Sequence, residues 1–220
     1  MRALAFDVFG TLFDVEALRE GLRGRVRRAE ELLALWRSKQ LEYTFLLALM
    51  DRFLTFSEVT QRALSSASSQ LQVGLSKEEV DDLTGAWNGL PLYSGAITAL
   101  EVLRGRYTLV VLSNGETALL HALLERSGIS HLFSRVLSAE EVGTYKPSPR
   151  VYQLAVSRLD LPRAQIGMVS SNAFDIMGAK AFGLRGLWIN RMGGKMEPLG
   201  LEPDLEARDF KELVKLLEDQ

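Results

Sequence analysis

Residues 3–14 read Ala-Leu-Ala-Phe-Asp-Val-Phe-Gly-Thr-Leu-Phe-Asp, and this stretch decides the fold. A short apolar run that ends in an acid, followed by Gly10-Thr11, predicts a buried strand that carries Asp7 to the open edge of a sheet. Ligands of open α/β sheets bind at that edge, outside the carboxyl ends of the strands. A carboxylate there can act as a nucleophile and form a covalent ester. The residue two positions further on is Phe9 rather than a second acid.

The rest of the chain repeats the alternation of strand and helix. Further β-rich runs lie at Tyr107–Ser113, Arg135–Ser138, Ile166–Ser170 and Gly186–Asn190, after a first strand at Ala3–Asp7. Helical patterns lie near 116–126, 148–159, 173–182 and 209–219. This alternation predicts an α/β protein with a doubly wound parallel sheet, a Rossmann-like core.

Residues 15–92 have a different pattern, in which no convincing strand occurs. The stretch is rich in Leu, Arg, Glu and Ala at helical spacing, and Ser76-Lys77-Glu78-Glu79 is a typical capping box at a helix start. We therefore expect a helical cap at 15–92, inserted after the first strand, and a core domain formed by 1–14 and 93–220. The apolar residues of the insert either support a homodimer or form the interior of the cap; these residues are Phe45, Leu46, Leu47, Leu49, Met50 and Phe53.

Composition excludes several classes of function. The 220 residues are 47% hydrophobic, carry a net charge of -2 and include no cysteine. Nucleic acid is therefore not an expected partner, and neither thiolate catalysis nor a Cys-based zinc site is possible. No apolar run approaches the roughly 20 residues that span a bilayer, and the first strand begins at once. We expect a cytoplasmic protein with no membrane partner and no signal peptide.

Polar groups follow several of the predicted strands. Ser113-Asn114-Gly115 offers a hydroxyl, an amide and backbone N–H groups that can hold an anion, although a helix cap with a turn explains them equally well. Lys146, fixed by Pro147, could keep Asp7 ionised, or it could be a solvated loop residue. The segment from Ser170 to Asp175 ends in an acid that could orient Lys146 or help to activate water, or could complement a helix dipole.

One candidate lies in the insert, within Trp-Arg-Ser-Lys-Gln-Leu-Glu-Tyr at 36–43. Arg37 could reach the cleft between insert and sheet as a receptor for an anion or leaving group, although spacing alone favours a surface arginine. His121 and His131 follow no strand and are interpreted as structural or surface residues. No Gly-x-Ser-x-Gly motif is present, which argues against a Ser-His-Asp hydrolase.

The sheet-edge motifs, in this order and spacing, resemble those of the haloacid dehalogenase superfamily. They are Asp7 with Gly10-Thr11, Ser113-Asn114, Lys146-Pro147 and the 170–175 loop. Most members are magnesium-dependent phosphatases, with an acid two residues after the nucleophile and a metal-binding aspartate in the fourth motif. Phe9 and Ser171 stand at those positions here. Together with the motif around Arg37, this places the resemblance in the L-2-haloacid dehalogenase branch, which needs no metal and no cofactor.

The resemblance implies hydrolysis of short L-2-haloacids to D-2-hydroxy acids through an ester on Asp7, with inversion at C2. It assigns halide binding to Arg37 and Asn114, and the substrate carboxylate to Ser113 and the backbone N–H groups of Val8 and Phe9. Lys146 would position Asp7. The remaining roles follow the branch in the same way: Ser170, Asn172 and Asp175 support Lys146 and the hydrolytic water, and Phe9, Leu41, Phe56, Tyr152 and Phe174 wall the pocket.

Two positions depart from the branch. Ser38 stands where Gln is frequent, and Phe174 where Trp is usual, and both changes bear on the pocket rather than the nucleophile. Three alternatives stay open from the sequence: a phosphatase of the same superfamily, a non-catalytic binding protein on this scaffold, and an enzyme of the branch that acts on a different activated carbon.

Overall fold

The structure, a computed structural model, describes residues 1–219. Its first strand, β1 (Ala3–Phe6), is buried along its whole length, as the run Ala-Leu-Ala-Phe requires. The backbone N–H of Asp7 still donates to the carbonyl of Val169 at 3.0 Å, so the acid stands at the end of the ladder. The strand therefore delivers Asp7 to the sheet edge, as the sequence predicts.

The described residues form a six-stranded sheet in which every pairing is parallel. The strands that follow β1 are β2 (Thr108–Ser113), β3 (Arg135–Ser138), β4 (Ile166–Ser170), β5 (Arg185–Ile189) and β6 (Leu205–Ala207). Their spatial order is β3-β2-β1-β4-β5-β6. The order reverses beside β1, and in doubly wound sheets such a switch point opens the crevice that binds ligands. The predicted α/β fold is confirmed.

Four helices occupy the segment between β1 and the return to the sheet. They are α1 (Leu18–Arg23), α2 (Ala29–Leu49), α3 (Phe56–Gln70) and α4 (Lys77–Gly85). Capping boxes start α3 at Thr55 and α4 at Ser76, each worth roughly 0.5–2 kcal/mol. The buried indole of Trp36 donates to the carbonyl of Thr60 at 2.8 Å and joins α2 to α3. This segment contains no strand, which agrees with its sequence pattern.

The remaining helices surround the sheet. They are α5 (Ala96–Arg104), α6 (Thr117–Arg126), α7 (Pro149–Leu159), α8 (Ala173–Phe182) and α9 (Phe210–Glu218). Helix α5 packs against α9, and α7 packs against α8. With these helices around the sheet, its central strands are buried on both faces. No helix within residues 1–219 is long and apolar enough to cross a membrane.

The structure adds two elements that the pattern does not predict. Strand β6 has only three residues and pairs with β5 at the sheet edge, where Ala207 lies opposite Ile189. Helix α5 follows the turn at Gly95, immediately after the helical insert ends. The predicted ends of the other strands and of the helices outside the insert agree with the observed ends or differ from them by one residue, which is within the usual uncertainty of such boundaries.

Candidate active site

Asp7 is almost fully buried, with 6% of its surface exposed, and its two oxygens have different environments. Oδ2 accepts from the hydroxyl of Thr11 and from the side-chain amide of Asn172, both at 2.8 Å. Oδ1 faces only the ammonium group of Lys146, at 3.3 Å. Hydrogen bonding stabilises Oδ2 more strongly, so Oδ1 is the less hydrogen-bonded and more reactive oxygen.

A tight turn after β1 places the Thr11 hydroxyl on Asp7. Gly10 adopts a φ of 82°, which favours glycine, and the N–H groups of Thr11, Leu12 and Phe13 converge on the carbonyl of Val8. Among the residues that the structure describes, the N–H groups of Val8 and Phe9 donate to no acceptor. Two backbone donors are therefore free beside the buried carboxylate.

Lys146 lies between two carboxylates and is itself only 1% exposed. Its ammonium group donates to Asp175 Oδ2 at 2.8 Å, and the hydroxyl of Tyr152 donates to Asp175 Oδ1 at 2.9 Å. Burial raises the pKa of Asp175, and Lys146 only partly offsets this effect. Burial also raises the pKa of Tyr152 well above its ordinary value, so this hydroxyl remains a donor. Asp175 is held in place by two fixed donors.

The loop after β4 supplies further contacts to the Asp7 turn. The backbone N–H of Asn172 donates to Ser170 Oγ at 3.1 Å, and its side-chain amide reaches the carbonyl of Phe9 at 3.2 Å as well as Asp7. The backbone N–H of Ser171 donates to Thr11 Oγ1 at 2.9 Å. The two loops are thus hydrogen-bonded to each other directly beneath the carboxylate.

The end of β2 presents an amide to the same place. Asn114 Oδ1 accepts from the backbone N–H of Lys146 at 2.9 Å, and the Oγ of Ser113 accepts from Gly115 at 3.2 Å. A side chain at Gly115 would meet the ring of Phe9 at 2.7 Å, so glycine permits this close approach. With Oδ1 fixed in this way, the amide nitrogen of Asn114 is available to a ligand.

Arg37 reaches the site from α2. It is half-buried, and no carboxylate in residues 1–219 lies within 4.0 Å of its guanidinium. It donates instead to the Gln40 amide oxygen, and its guanidinium carbon stands 5.2 Å from the ring centre of Trp87. Burial lowers the pKa of Arg37 to about 10, although the charge of Asp7 acts in the opposite direction. A guanidinium that contacts only an amide and an aromatic ring among the described residues can receive an anionic ligand.

These groups enclose a small cavity of about 20 Å³. Stacking of Phe9 on Phe56, with ring centres 4.9 Å apart, and an edge contact of Phe45 on Phe174 at 5.2 Å fix its apolar walls. The lining residues are Asp7, Phe9, Arg37, Gln40, Leu41, Thr44, Phe56, Ser113, Asn114, Asn172 and Phe174. The volume is that of about one water molecule.

Most residues singled out in the sequence meet at this cavity or directly behind it. Tyr152 is the exception among the predicted pocket walls, since it does not line the cavity and instead hydrogen-bonds Asp175. Gln40 and Thr44 line the cavity and Trp87 contacts Phe9 and Arg37, and none of the three was predicted from the sequence. Gln40 lies three residues after Arg37, on the same face of a predicted helix, and this spacing is the signal that could have found it.

No group of three or more His, Cys, Asp or Glu side chains within residues 1–219 is arranged to hold a metal ion. The position of Phe9 offers only a carbonyl oxygen, and that oxygen accepts from Asn172. Ser171 contributes a hydroxyl that accepts from Arg191. The donor set around Asp7 consists of amides, hydroxyls and one ammonium group, which suits an organic anion or ester better than a divalent cation.

Comparison with known proteins adds independent information. The family model for haloacid dehalogenase-like hydrolases matches residues 1–183. The chain is 39% identical over 223 residues to an (S)-2-haloacid dehalogenase of Pseudomonas sp. (strain YL), covering 99% of this chain and 95% of that protein. It is 34% identical to haloacetate dehalogenase H-2 of Moraxella sp. (strain B), covering 99% and 98%.

Solved structures agree with these sequence matches. The L-2-haloacid dehalogenase of Xanthobacter autotrophicus with chloropropionic acid covalently bound superposes with a TM-score of 0.90 at 30% identity, covering 99% of this chain and 98% of that chain. A second L-2-haloacid dehalogenase superposes with a TM-score of 0.96 at 33% identity and covers 99% of both chains.

Proposed function

The chain belongs to the haloacid dehalogenase-like hydrolase family, and on that premise we propose that it hydrolyses short L-2-haloacids to D-2-hydroxy acids. The single observation that carries the proposal is the unequal environment of the Asp7 oxygens. A carboxylate with one oxygen that accepts only from Lys146 among the described residues and one doubly hydrogen-bonded oxygen is prepared for two different steps. Relatives of this chain are named as haloacid and haloacetate dehalogenases, and one solved neighbour holds chloropropionic acid covalently bound.

In the first step Asp7 Oδ1 attacks C2 of the haloacid. The new O–C2 bond forms as the C2–halogen bond breaks on the opposite side, the halide leaves with the bonding electron pair, and C2 inverts. Lys146 holds Oδ1 in place at 3.3 Å without enclosing it, and the apolar walls formed by Phe9, Phe56 and Phe174 limit the access of water to the nucleophile. The carboxylate is thereby more reactive than it would be in water.

We assign the departing halide to Arg37 and Asn114. The half-buried guanidinium has no carboxylate partner among the described residues, so it can receive negative charge that develops during displacement. The Asn114 amide is oriented by the backbone of Lys146 and keeps its nitrogen free. The substrate carboxylate is assigned to Ser113 and to the unused N–H groups of Val8 and Phe9.

In the second step water attacks the carboxyl carbon of the Asp7 ester. Charge then collects on Oδ2, where the Thr11 hydroxyl and the Asn172 amide already donate at 2.8 Å. The carbon–Oδ1 bond breaks, Oδ1 leaves with the product as its hydroxyl oxygen, and the water oxygen completes the carboxylate. Of the two protons of the water, one goes to the product hydroxyl and the other is released. Ser170 and Asp175 support this step by holding Asn172 and Lys146.

Residues 15–92 are proposed to form a cap that moves relative to a core of 1–14 and 93–220. The cavity admits little more than a water molecule, so a haloacid must enter by an opening between these parts. Few polar contacts join them near the site: Ser57 Oγ donates to Glu116 at 2.6 Å, and the Tyr145 hydroxyl donates to the carbonyl of Leu54 at 2.5 Å. A small number of hydrogen bonds can break without great cost.

A homodimer and a cytoplasmic location remain part of the proposal. Helix α2 exposes Leu46 and Leu49, and Met50 follows it directly, with 44%, 84% and 59% of their surfaces accessible. Exposed apolar side chains that lie together are typical of protein interfaces. Light scattering of the parent protein and of a Leu49→Glu variant would measure this association, and cell fractionation would test the location.

The function is tested by halide release from L- and D-2-chloropropionate in the presence of EDTA. Release from the L form alone is expected. EDTA should not prevent it, because no metal takes part in either proposed step. Asp7→Asn should abolish turnover, whereas Asp160→Asn, at an exposed position with a φ of 51° that Asn tolerates, should not affect it. Release of phosphate from a generic ester with magnesium, and no halide, would identify a phosphatase instead.

A further inference from the structure

Arg191 makes a set of contacts that the proposed mechanism does not use. It lies two residues after the end of β5 and is not among the residues that line the cavity. Its Nη1 donates to the carbonyl of Gly10 at 3.0 Å and to Ser171 Oγ at 2.6 Å, and its Nη2 donates to the carbonyl of Thr11 at 2.7 Å. One guanidinium thus binds three oxygens in the two loops that flank Asp7.

The guanidinium is held in place without an ion pair. Within residues 1–219 no carboxylate lies within 4.0 Å of it, and burial lowers its pKa. Its carbon stands 3.7 Å from the ring centre of Tyr93 and 5.2 Å from that of Phe210. Contact with aromatic rings helps to fix the plane of an arginine, which can then present its donors as a rigid fork. A lysine could not reproduce this arrangement.

The contacts of Arg191 form a closed circuit with those of Thr11. Arg191 binds Ser171 Oγ, the backbone N–H of Ser171 donates to Thr11 Oγ1 at 2.9 Å, and the Thr11 carbonyl accepts from Arg191. Thr11 Oγ1 in turn donates its proton to Asp7 Oδ2. The Thr11 hydroxyl oxygen accepts from the backbone N–H of Ser171, and the hydroxyl proton is therefore directed to Asp7.

We propose that Arg191 is a positioning residue for hydrolysis of the Asp7 ester. This inference rests on the proposed function. The fork fixes the Gly10–Thr11 turn against the Ser171 loop and so aims the Thr11 hydroxyl at Oδ2. That oxygen gathers negative charge when water attacks the ester, but not when Oδ1 displaces halide. Loss of the fork therefore slows the second step more than the first.

Rapid mixing with L-2-chloropropionate tests the inference through Arg191→Met and Arg191→Lys. Both variants should release a first equivalent of halide at nearly the parental rate and then turn over about tenfold more slowly, or worse. kcat and KM should fall together because the ester accumulates. Mass spectrometry of quenched protein should find the ester on Asp7. Arg191→Lys should not rescue the defect, since an ammonium group keeps the charge without the fork.

Controls separate positioning from stability and from the proposed function. Arg185→Met, which removes an exposed ion pair with Asp204 at the other end of β5, should leave both phases unchanged. If Arg191→Met folds poorly, Ser171→Ala removes one anchor only and should slow the second phase in the same direction. Equal slowing of both phases, or a lower melting temperature with parental kinetics, would overturn the inference. No halide release by the parent protein would overturn the proposed function, and this inference with it.

Discussion

The ammonium group of Lys146 lies 2.8 Å from Oδ2 of Asp175, and each side chain is 1% exposed. The contact is shorter than the 3.3 Å that separates Lys146 from Asp7, so Asp175 is the acid that holds the lysine. A buried pair of this kind rarely contributes much net stability, because both charges lose their hydration. Its value here lies in placing a cation beside Asp7 without neutralising the nucleophile.

The raised pKa of Asp175 predicts a pH dependence of stability. The folded protein binds this proton more tightly than the unfolded chain, where the pKa is near its ordinary value of 3.8. As the pH rises from that value through the raised folded pKa, Asp175 ionises and its contribution to the free energy of unfolding falls. In Asp175→Asn this decline should be absent. Urea unfolding at intervals between about pH 4 and pH 8 measures the difference between the two proteins.

Tyr152→Phe provides the matched control for that prediction. The Tyr152 hydroxyl donates to Asp175 Oδ1 at 2.9 Å and opposes the rise in the pKa of this acid. Its removal should therefore extend the window of declining stability to higher pH. A stability difference between Asp175→Asn and the parent that does not vary with pH would contradict the assignment of the raised pKa to Asp175.

Much of the fold could be predicted because strands in a parallel sheet are buried on both faces. Leu109–Leu112 and Ile166–Val169 are continuous apolar runs, and each ends where polar residues begin. Strand β6 gave no such signal. Leu205-Glu206-Ala207 is too short for a pattern, and it pairs only at the edge, beside β5. Its position depends on tertiary contacts, not on local sequence.

Part of the candidate site could also be predicted from the sequence. Asp7, Asn114 and Lys146 follow strands or fixed loops, so topology alone brings them together. Side-chain direction was not predictable. Tyr152 was expected in the pocket wall, but it lies on α7 behind Asp175 and hydrogen-bonds it. Arg191 carried no motif at all, because its three acceptors are two backbone carbonyls and one hydroxyl from distant parts of the chain.

Thr11→Val should separate the two chemical steps. Valine keeps the shape of threonine but removes the hydroxyl that donates to Asp7 Oδ2 at 2.8 Å. Loss of one donor to a developing oxyanion costs about 10²–10³ in kcat, and this oxyanion forms only during ester hydrolysis. We expect a first equivalent of halide to be released quickly and turnover to stop almost completely afterwards. Stopped-flow halide detection with mass spectrometry of the protein measures both events.

Thr11→Ser is the matched variant, since it restores the hydroxyl on a smaller side chain. Its turnover should exceed that of Thr11→Val by at least tenfold, roughly the effect of one restored hydrogen bond to a charged group. A Thr11→Val protein that releases its first halide as slowly as its later ones would remove Thr11 from the second step and place its effect on the attack by Asp7.

Arg37→Met should give the opposite kinetic pattern. Arg37 is half-buried, and among residues 1–219 no carboxylate lies within 4.0 Å of its guanidinium, so the residue is placed to receive the halide as the carbon–halogen bond breaks. Its loss should slow the first step by about 10²-fold or more, with no early halide release and no accumulated ester. Stability should be little changed, because an apolar side chain removes the desolvation cost of a partly buried charge while the hydrogen bond to Gln40 is lost. Arg62→Met, on the exposed face of α3, should alter neither property. An Arg37→Met protein that unfolds readily would show that the arginine stabilises the helical segment. A variant that still releases halide rapidly would show that another group receives the leaving ion.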